Sequence, residues 1–199
     1  MQAHPLYQPG VDYFGINAFN ASGLKSTSGI SWNPEALEVG TQVDNFISYG
    51  TAPTHEKAVT ACRAFAASEI GKTILQARKD GTLQAQHEYY RVLPIGPDRH
   101  EVWVKAKLDL VLKGRYNIDI KTTSASSRSA FEAHIKSFDY YMSQGHYHRM
   151  ARVEKSLLCV ISTKNSEVYI RPMDLDKLAE GAARFDQLLY SKLQNEGYL

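Results

Sequence analysis

The chain predicts an α/β fold, a central mixed β-sheet flanked by helices, and three observations lead there. Apolar residues recur at helical spacing through most of residues 34–78. From about residue 88 the period shifts to that of strands, and after residue 127 helical spacing returns, followed by two more short apolar runs.

Each element has its own signals. Residues 1–33 carry Pro5, Pro9, Gly10, Gly15, Gly23 and Gly29 among many Ser and Asn, which predicts an irregular arm with short turns and little chemistry. Asn33 is the expected N-cap and Pro34 the first residue of a helix over 34–49, with Leu37, Val43, Phe46 and Ile47 as its partial apolar face and Gly50 as its stop. Ala58, Ala61, Cys62, Phe65 and Ala66 place a second helix over 54–67, and a short one follows over 70–78 before Gly81. Strands are expected at 89–93, 102–112 and 116–120, joined by the Pro94, Gly96, Pro97 turn and the Lys113-Gly114 turn. Two helices over 127–138 and 140–153 precede strands at 157–161 and 168–170. An amphipathic helix over 175–193 closes the chain, with Leu178, Ala182, Phe185, Leu188 and Leu189 on one side.

Composition narrows the function classes. The chain of 199 residues, 43% apolar and 22% charged, has the make-up of a folded globular domain. With 23 basic against 21 acidic residues it is no polycation, so a nucleic-acid surface has to be local. The stretch 105–136 is such a place: Lys105, Lys107, Lys113, Arg115, Lys121, Arg128 and Lys136 face only Asp109, Asp119 and Glu132, which favours an anionic ligand. Cys62 and Cys159 are too few for a zinc ribbon or an iron-sulfur cluster and read as buried thiols. There is no leader-like start and no apolar run of membrane-spanning length, so a soluble cytoplasmic protein with no membrane partner is expected.

The chemistry concentrates in the hairpin. Lys107-Leu108-Asp109-Leu110-Val111 sets a carboxylate among apolar neighbours, and Asp119-Ile120-Lys121 follows on the next strand. Asp119 and Lys121, two apart, share a face, while Ile118 and Ile120 turn into the core. Two carboxylates and an ammonium at one sheet edge suit phosphodiester hydrolysis, because a hard divalent ion takes carboxylate oxygens and delivers a water, which Lys121 would orient or deprotonate. Taken alone the tripeptide reads as a surface ion pair; its spacing from Asp109 is what raises it.

These residues resemble the signature of the PD-(D/E)xK nuclease superfamily, in which an aspartate on one strand precedes an (Asp/Glu)-x-Lys tripeptide on the next. Thr122-Thr123 after the tripeptide, Glu88 before it, Gln144 in a downstream helix and Gly40-Thr41-Gln42-Val43-Asp44 bring the likeness closer to RecB-like and RecE-like phage recombination exonucleases. The likeness spans roughly 36–150 and implies a restriction-endonuclease-like core, with 34–199 as a single nuclease-like domain. It implies catalysis by Glu88, Asp109, Asp119 and Lys121, and magnesium, with manganese as the alternative ion, at Asp44, Glu88, Asp109, Asp119 and Ile120. It also implies DNA contacts from Thr122, Thr123, Gln144, Tyr147 and His148. Two departures stand out: Asp44 replaces the family's usual histidine, and the helix motif reads Gln144-Gly145-His146-Tyr147-His148. The implied activity is exonucleolytic hydrolysis at duplex DNA ends in recombination or repair, in a bacterial or phage-infected cell. The resemblance admits a homo-oligomer and a single-strand annealing recombinase as partners, and the rival expectation is a non-cutting DNA- or protein-binding accessory module. The histidines at 87, 100, 134 and 146 lack ligand spacing and are expected at the surface. Thr122, Thr123 and Ser124, with no partner base in view, are expected to contact phosphate or start a helix rather than act as nucleophiles.

Overall fold

The computed structural model describes residues 18–24 and 33–199; the other positions of the expected N-terminal arm lie outside the described residues. In chain order the elements are α1 (Ala21–Leu24), α2 (Pro34–Tyr49), α3 (Glu56–Ala67), α4 (Glu69–Lys79), β1 (Leu83–Ile95), β2 (His100–Leu112), β3 (Tyr116–Thr123), α5 (Arg128–Ser137), α6 (Tyr140–Ala151), β4 (Lys155–Ser162), β5 (Val168–Pro172) and α7 (Leu175–Asn195).

Local chemistry accounts for the boundaries. The Asn33 side chain accepts from Glu35 N at 2.9 Å, and Gly50, at φ 81, supplies the left-handed residue that ends α2. Lys113 and Gly114 both have positive φ, the twist that joins β2 to β3 with little splay. The expected strands are shorter than the observed ones, most of all β1, which begins at Leu83 because its early residues pair with the end of β2.

The five strands form one mixed sheet in the order β1-β2-β3-β4-β5, parallel only between β3 and β4. On one face Val43, Ile47, Phe65 and Ile74 from α2, α3 and α4 pack against Leu110, Ile118, Ile120 and Cys159. On the other, Met142, Met150, Phe185 and Leu189 from α6 and α7 pack against Val104, Ala106 and Leu108, and Phe131 and Ile135 of α5 pack against Leu158 and Val160. Cys62 and Cys159 are buried free thiols, as expected.

Two irregularities create the site. First, β2 and β3 pair only through Leu110↔Ile118, Val111↔Asn117 and Leu112↔Tyr116, and then part like a fork. Phe19 takes over the vacated edge of β2: its N donates to Trp103 O and its O accepts from Lys105 N. The arm is therefore not wholly irregular, since residues 18–24 include this pairing and the turn of helix α1. Second, Gln86 sits at φ 49 opposite Asp109, and the side chains of both strands change faces there. Leu83, Ala85, Leu110 and Leu112 pack on the α2 to α4 side, whereas Tyr89, Leu93, Leu108 and Ala106 pack on the α6 and α7 side. Among the described residues no helix is long and apolar enough to cross a membrane.

Candidate active site

Where β2 and β3 part, a cleft of about 590 Å³ opens between α2 on one side and α5 and α6 on the other, and Asp44, Asp109, Asp119 and Lys121 all line it. The fork explains Asp109: its Oδ2 accepts from Ile120 N at 2.8 Å, replacing the ladder hydrogen bond that the parting strands no longer supply. Asp119 and Lys121 share a face and pair with each other, as their spacing requires, while Ile118 and Ile120 enter the core. Lys121 Nζ also donates to Ile120 O at 3.2 Å and lies 5.4 Å from the centroid of the Tyr140 ring. Asp44 reaches the same cleft from α2, held by Ser48 Oγ at 2.9 Å on Oδ1 and by Gln86 Nε2 at 2.9 Å on Oδ2.

The electrostatics follow from this crowding. Burial, then the neighbouring Asp119, pushes the Asp109 carboxyl up to about 7, with Lys121 pulling the other way. Burial likewise raises Asp44, against the hydrogen bonds of Ser48 and Gln86. Burial alone would lower Lys121, but Asp119 and Asp109 outweigh it and hold the ammonium charged, above its ordinary value. Three acids crowded around one cation invite a second cation.

The donors fit a hard divalent ion in kind. Asp119 is 5% exposed, and its buried Oδ2 pairs with the Lys121 ammonium. That ammonium touches the Asp119 carboxylate and the Ile120 carbonyl together, two hard oxygens of the sort magnesium takes. Among the described residues no three His, Cys, Asp or Glu side chains form a closed metal cluster, so the fit is one of donor chemistry.

Comparison with solved structures decides the fold. The chain superposes on a putative exonuclease from Eubacterium rectale with a TM-score of 0.53 at 13% identity, covering 83% of this chain and 68% of that one. The chain shares the fold of that putative exonuclease. A phage-related exonuclease from Haemophilus somnus also matches, with a TM-score of 0.42 at 13% identity over 90% of this chain and 96% of that one. No protein-family model and no curated protein matches the sequence.

Within this fold several expected site residues fall elsewhere. Glu88 does not line the cleft: it is exposed, opposite Lys107, and accepts from Tyr90 Oη at 2.9 Å. The residue level with Asp109 is Gln86, a register that counting back from the Ile95↔His100 closing pair of the hairpin reveals. Gln144 is buried and accepts from Asn117 Nδ2 at 2.9 Å, tying α6 to β3 rather than facing the cleft. His148 is likewise turned away, its Nδ1 3.1 Å from Ser156 Oγ. Thr122, Thr123 and Tyr147 do line the cleft, but the Thr123 hydroxyl is engaged as acceptor from Ala125 N. His146, expected at the surface, is fully buried and stacked on Phe185 at 3.9 Å, and burial lowers it to about 3. His134, also expected at the surface, is a partly buried part of the cleft wall.

The basic surplus of 105–136 does not form one face. Arg115 and Arg128 pair with Glu154 and Glu167, Lys105 is buried, and Lys121 is the member that lines the cleft. Sequence reading missed Gln86 and Ser48, the supports of Asp44, and the wall residues Thr41, Phe138, Tyr140 and Ser143. Ser48 stood one helical turn from Asp44, and Tyr140, Ser143 and Tyr147 stood at helical spacing, so both signals were there to be found.

Proposed function

We propose that this protein is a magnesium-dependent deoxyribonuclease, with manganese as the alternative ion, acting as an exonuclease on duplex DNA ends in recombination or repair. The observation that carries the reading is the convergence of Asp109, Asp119 and Lys121 at the fork of β2 and β3. Asp44, Asp109, Asp119 and the Ile120 carbonyl would hold the ion, which when bound supplies an activated water and polarises the phosphate. Lys121, kept charged by the acids around it, orients the attacking water and offsets the charge that develops on the phosphate oxygens. Thr122 and Tyr147 line the path a DNA backbone would take through the cleft. The resemblance extends the reading to a homo-oligomer working beside a single-strand annealing recombinase in a bacterial or phage-infected cytoplasm.

Release of acid-soluble nucleotides from linear and closed-circular duplexes, with and without Mg²⁺, tests this. Release from linear DNA alone, stopped by EDTA, is the expected result; equal attack on circles would make the enzyme an endonuclease. The rival, a non-cutting binding module, draws on Glu88 lying outside the cleft. Absence of cleavage together with absence of divalent-ion binding would favour it.

A further inference from the structure

One strained residue marks the point where β1 changes faces. Gln86 holds a left-handed conformation in the body of a 13-residue strand, where L side chains with a Cβ are disfavoured by roughly 1–2 kcal/mol. Such outliers persist where surrounding structure uses them. Here the twist does two things: it sets Gln86 level with Asp109, and it lets Nε2 reach across to Asp44 Oδ2 at 2.9 Å. Ser48 completes the clamp on Oδ1. Both donors are neutral, so they orient the carboxylate without cancelling its charge.

The donor set around that clamp is all oxygen: three carboxylates and the Ile120 carbonyl. Both thiols are buried in the apolar core under α2, α3 and α4 and do not line the cleft. His146 and His148 bond Lys105 O and Ser156 Oγ, and His134 packs edge-on against Phe131 and Phe138. Oxygen-only sites suit Mg²⁺, whereas an imidazole among the ligands moves preference toward softer first-row ions.

We propose that Gln86 is the positioning residue of a cation site in this cleft, aiming Asp44 at the ion, and that Asp44, by completing an all-oxygen ligand set, sets the preference for Mg²⁺. The inference rests on the metal-dependent reading of the site, but it concerns binding and is tested without cleavage. Mg²⁺ and Mn²⁺ are titrated calorimetrically into the full chain, into Gln86→Asn and Gln86→Ala, and into Asp44→His, with thermal melts run alongside. Asparagine tolerates the left-handed conformation yet is one methylene too short to bridge to Asp44, so it withdraws the donor and spares the backbone. Loss of such an outer support lowers metal affinity about 10- to 100-fold, and that drop for Mg²⁺ is expected in Gln86→Asn without a lowered melting temperature. Asp44→His is expected to raise the Mn²⁺ to Mg²⁺ affinity ratio at least about tenfold. Wild-type Mg²⁺ affinity in Gln86→Asn, an unchanged ratio in Asp44→His, or no ion binding by the wild type would each overturn the proposal. A wild type that binds Mg²⁺ but cuts no DNA would sink the nuclease reading and leave this one standing.

Discussion

At the scale of single residues, the site is held by groups whose charge states depend on one another. Asp109 carries a carboxyl raised to about 7, against roughly 4 for a free side chain. The folded state thus binds this proton more tightly than the unfolded chain. Its contribution to stability is fully present below pH 4 and is lost as pH climbs through 7. Urea midpoints of the metal-free protein should accordingly fall between pH 4.5 and 7.5 by more than those of Asp109→Asn, and the apparent Mg²⁺ affinity should rise over the same window as the proton leaves. A pH-independent difference between the two proteins would contradict the burial of that charge. Gln144 offers the opposite kind of test. Because it accepts from Asn117, Gln144→Ala should cost about 1–3 kcal/mol of stability by leaving one buried N–H of the Asn117 amide unpaired, the other still reaching Ser156 Oγ, while KM for DNA stays put. A raised KM with unchanged stability would return Gln144 to the DNA surface.

At the scale of elements, α6 forms one wall of the cleft, and its placement depends on a close crossing with α7. A Cβ on Gly145 would lie 2.2 Å from Leu178 O, and one on Gly181 would lie 2.1 Å from Tyr141 O, so neither glycine has room for a side chain. Gly145→Ala should therefore destabilise by about 1–3 kcal/mol or more through overpacking, read from thermal melts, and should shift Tyr140 and Tyr147 on the same helix. The helices themselves were legible: α2 spans 34–49 with its Asn33 cap and Gly50 stop as expected, because caps and periodicity are local signals. The start of β1 was not legible. Leu83 to His87 alternate weakly, and it is pairing with β2, a non-local fact, that makes them a strand. Glu88 was expected at the site from the resemblance alone, which carries no strand register, and it is the register that sets Gln86 level with Asp109. Gln144 and His148 likewise came from the resemblance's helix motif, and only the packed neighbours decide which way such side chains turn: here toward Asn117 and Ser156.

At the scale of the molecule, the fold class was readable from the order of elements, and the Asp109, Asp119, Lys121 core from spacing alone. The fork between β2 and β3 was hidden, since nothing local marks where two strands stop pairing. The fork also predicts linkage between metal and stability, because an ion that binds only the assembled cleft stabilises the whole fold. At about 100 times its dissociation constant Mg²⁺ should add roughly 2.7 kcal/mol, visible as a raised melting temperature that Asp119→Asn abolishes. The central claim is that Lys121 and Asp119 perform metal-dependent hydrolysis at this fork. Its most direct test is the single-turnover rate of nucleotide release from linear duplex DNA in saturating Mg²⁺ by the wild type, Lys121→Ala and Asp119→Ala. Both substitutions should slow release by about 10²–10⁴-fold with the fold intact, whereas rates equal to the wild type in either variant would contradict the assignment of the site.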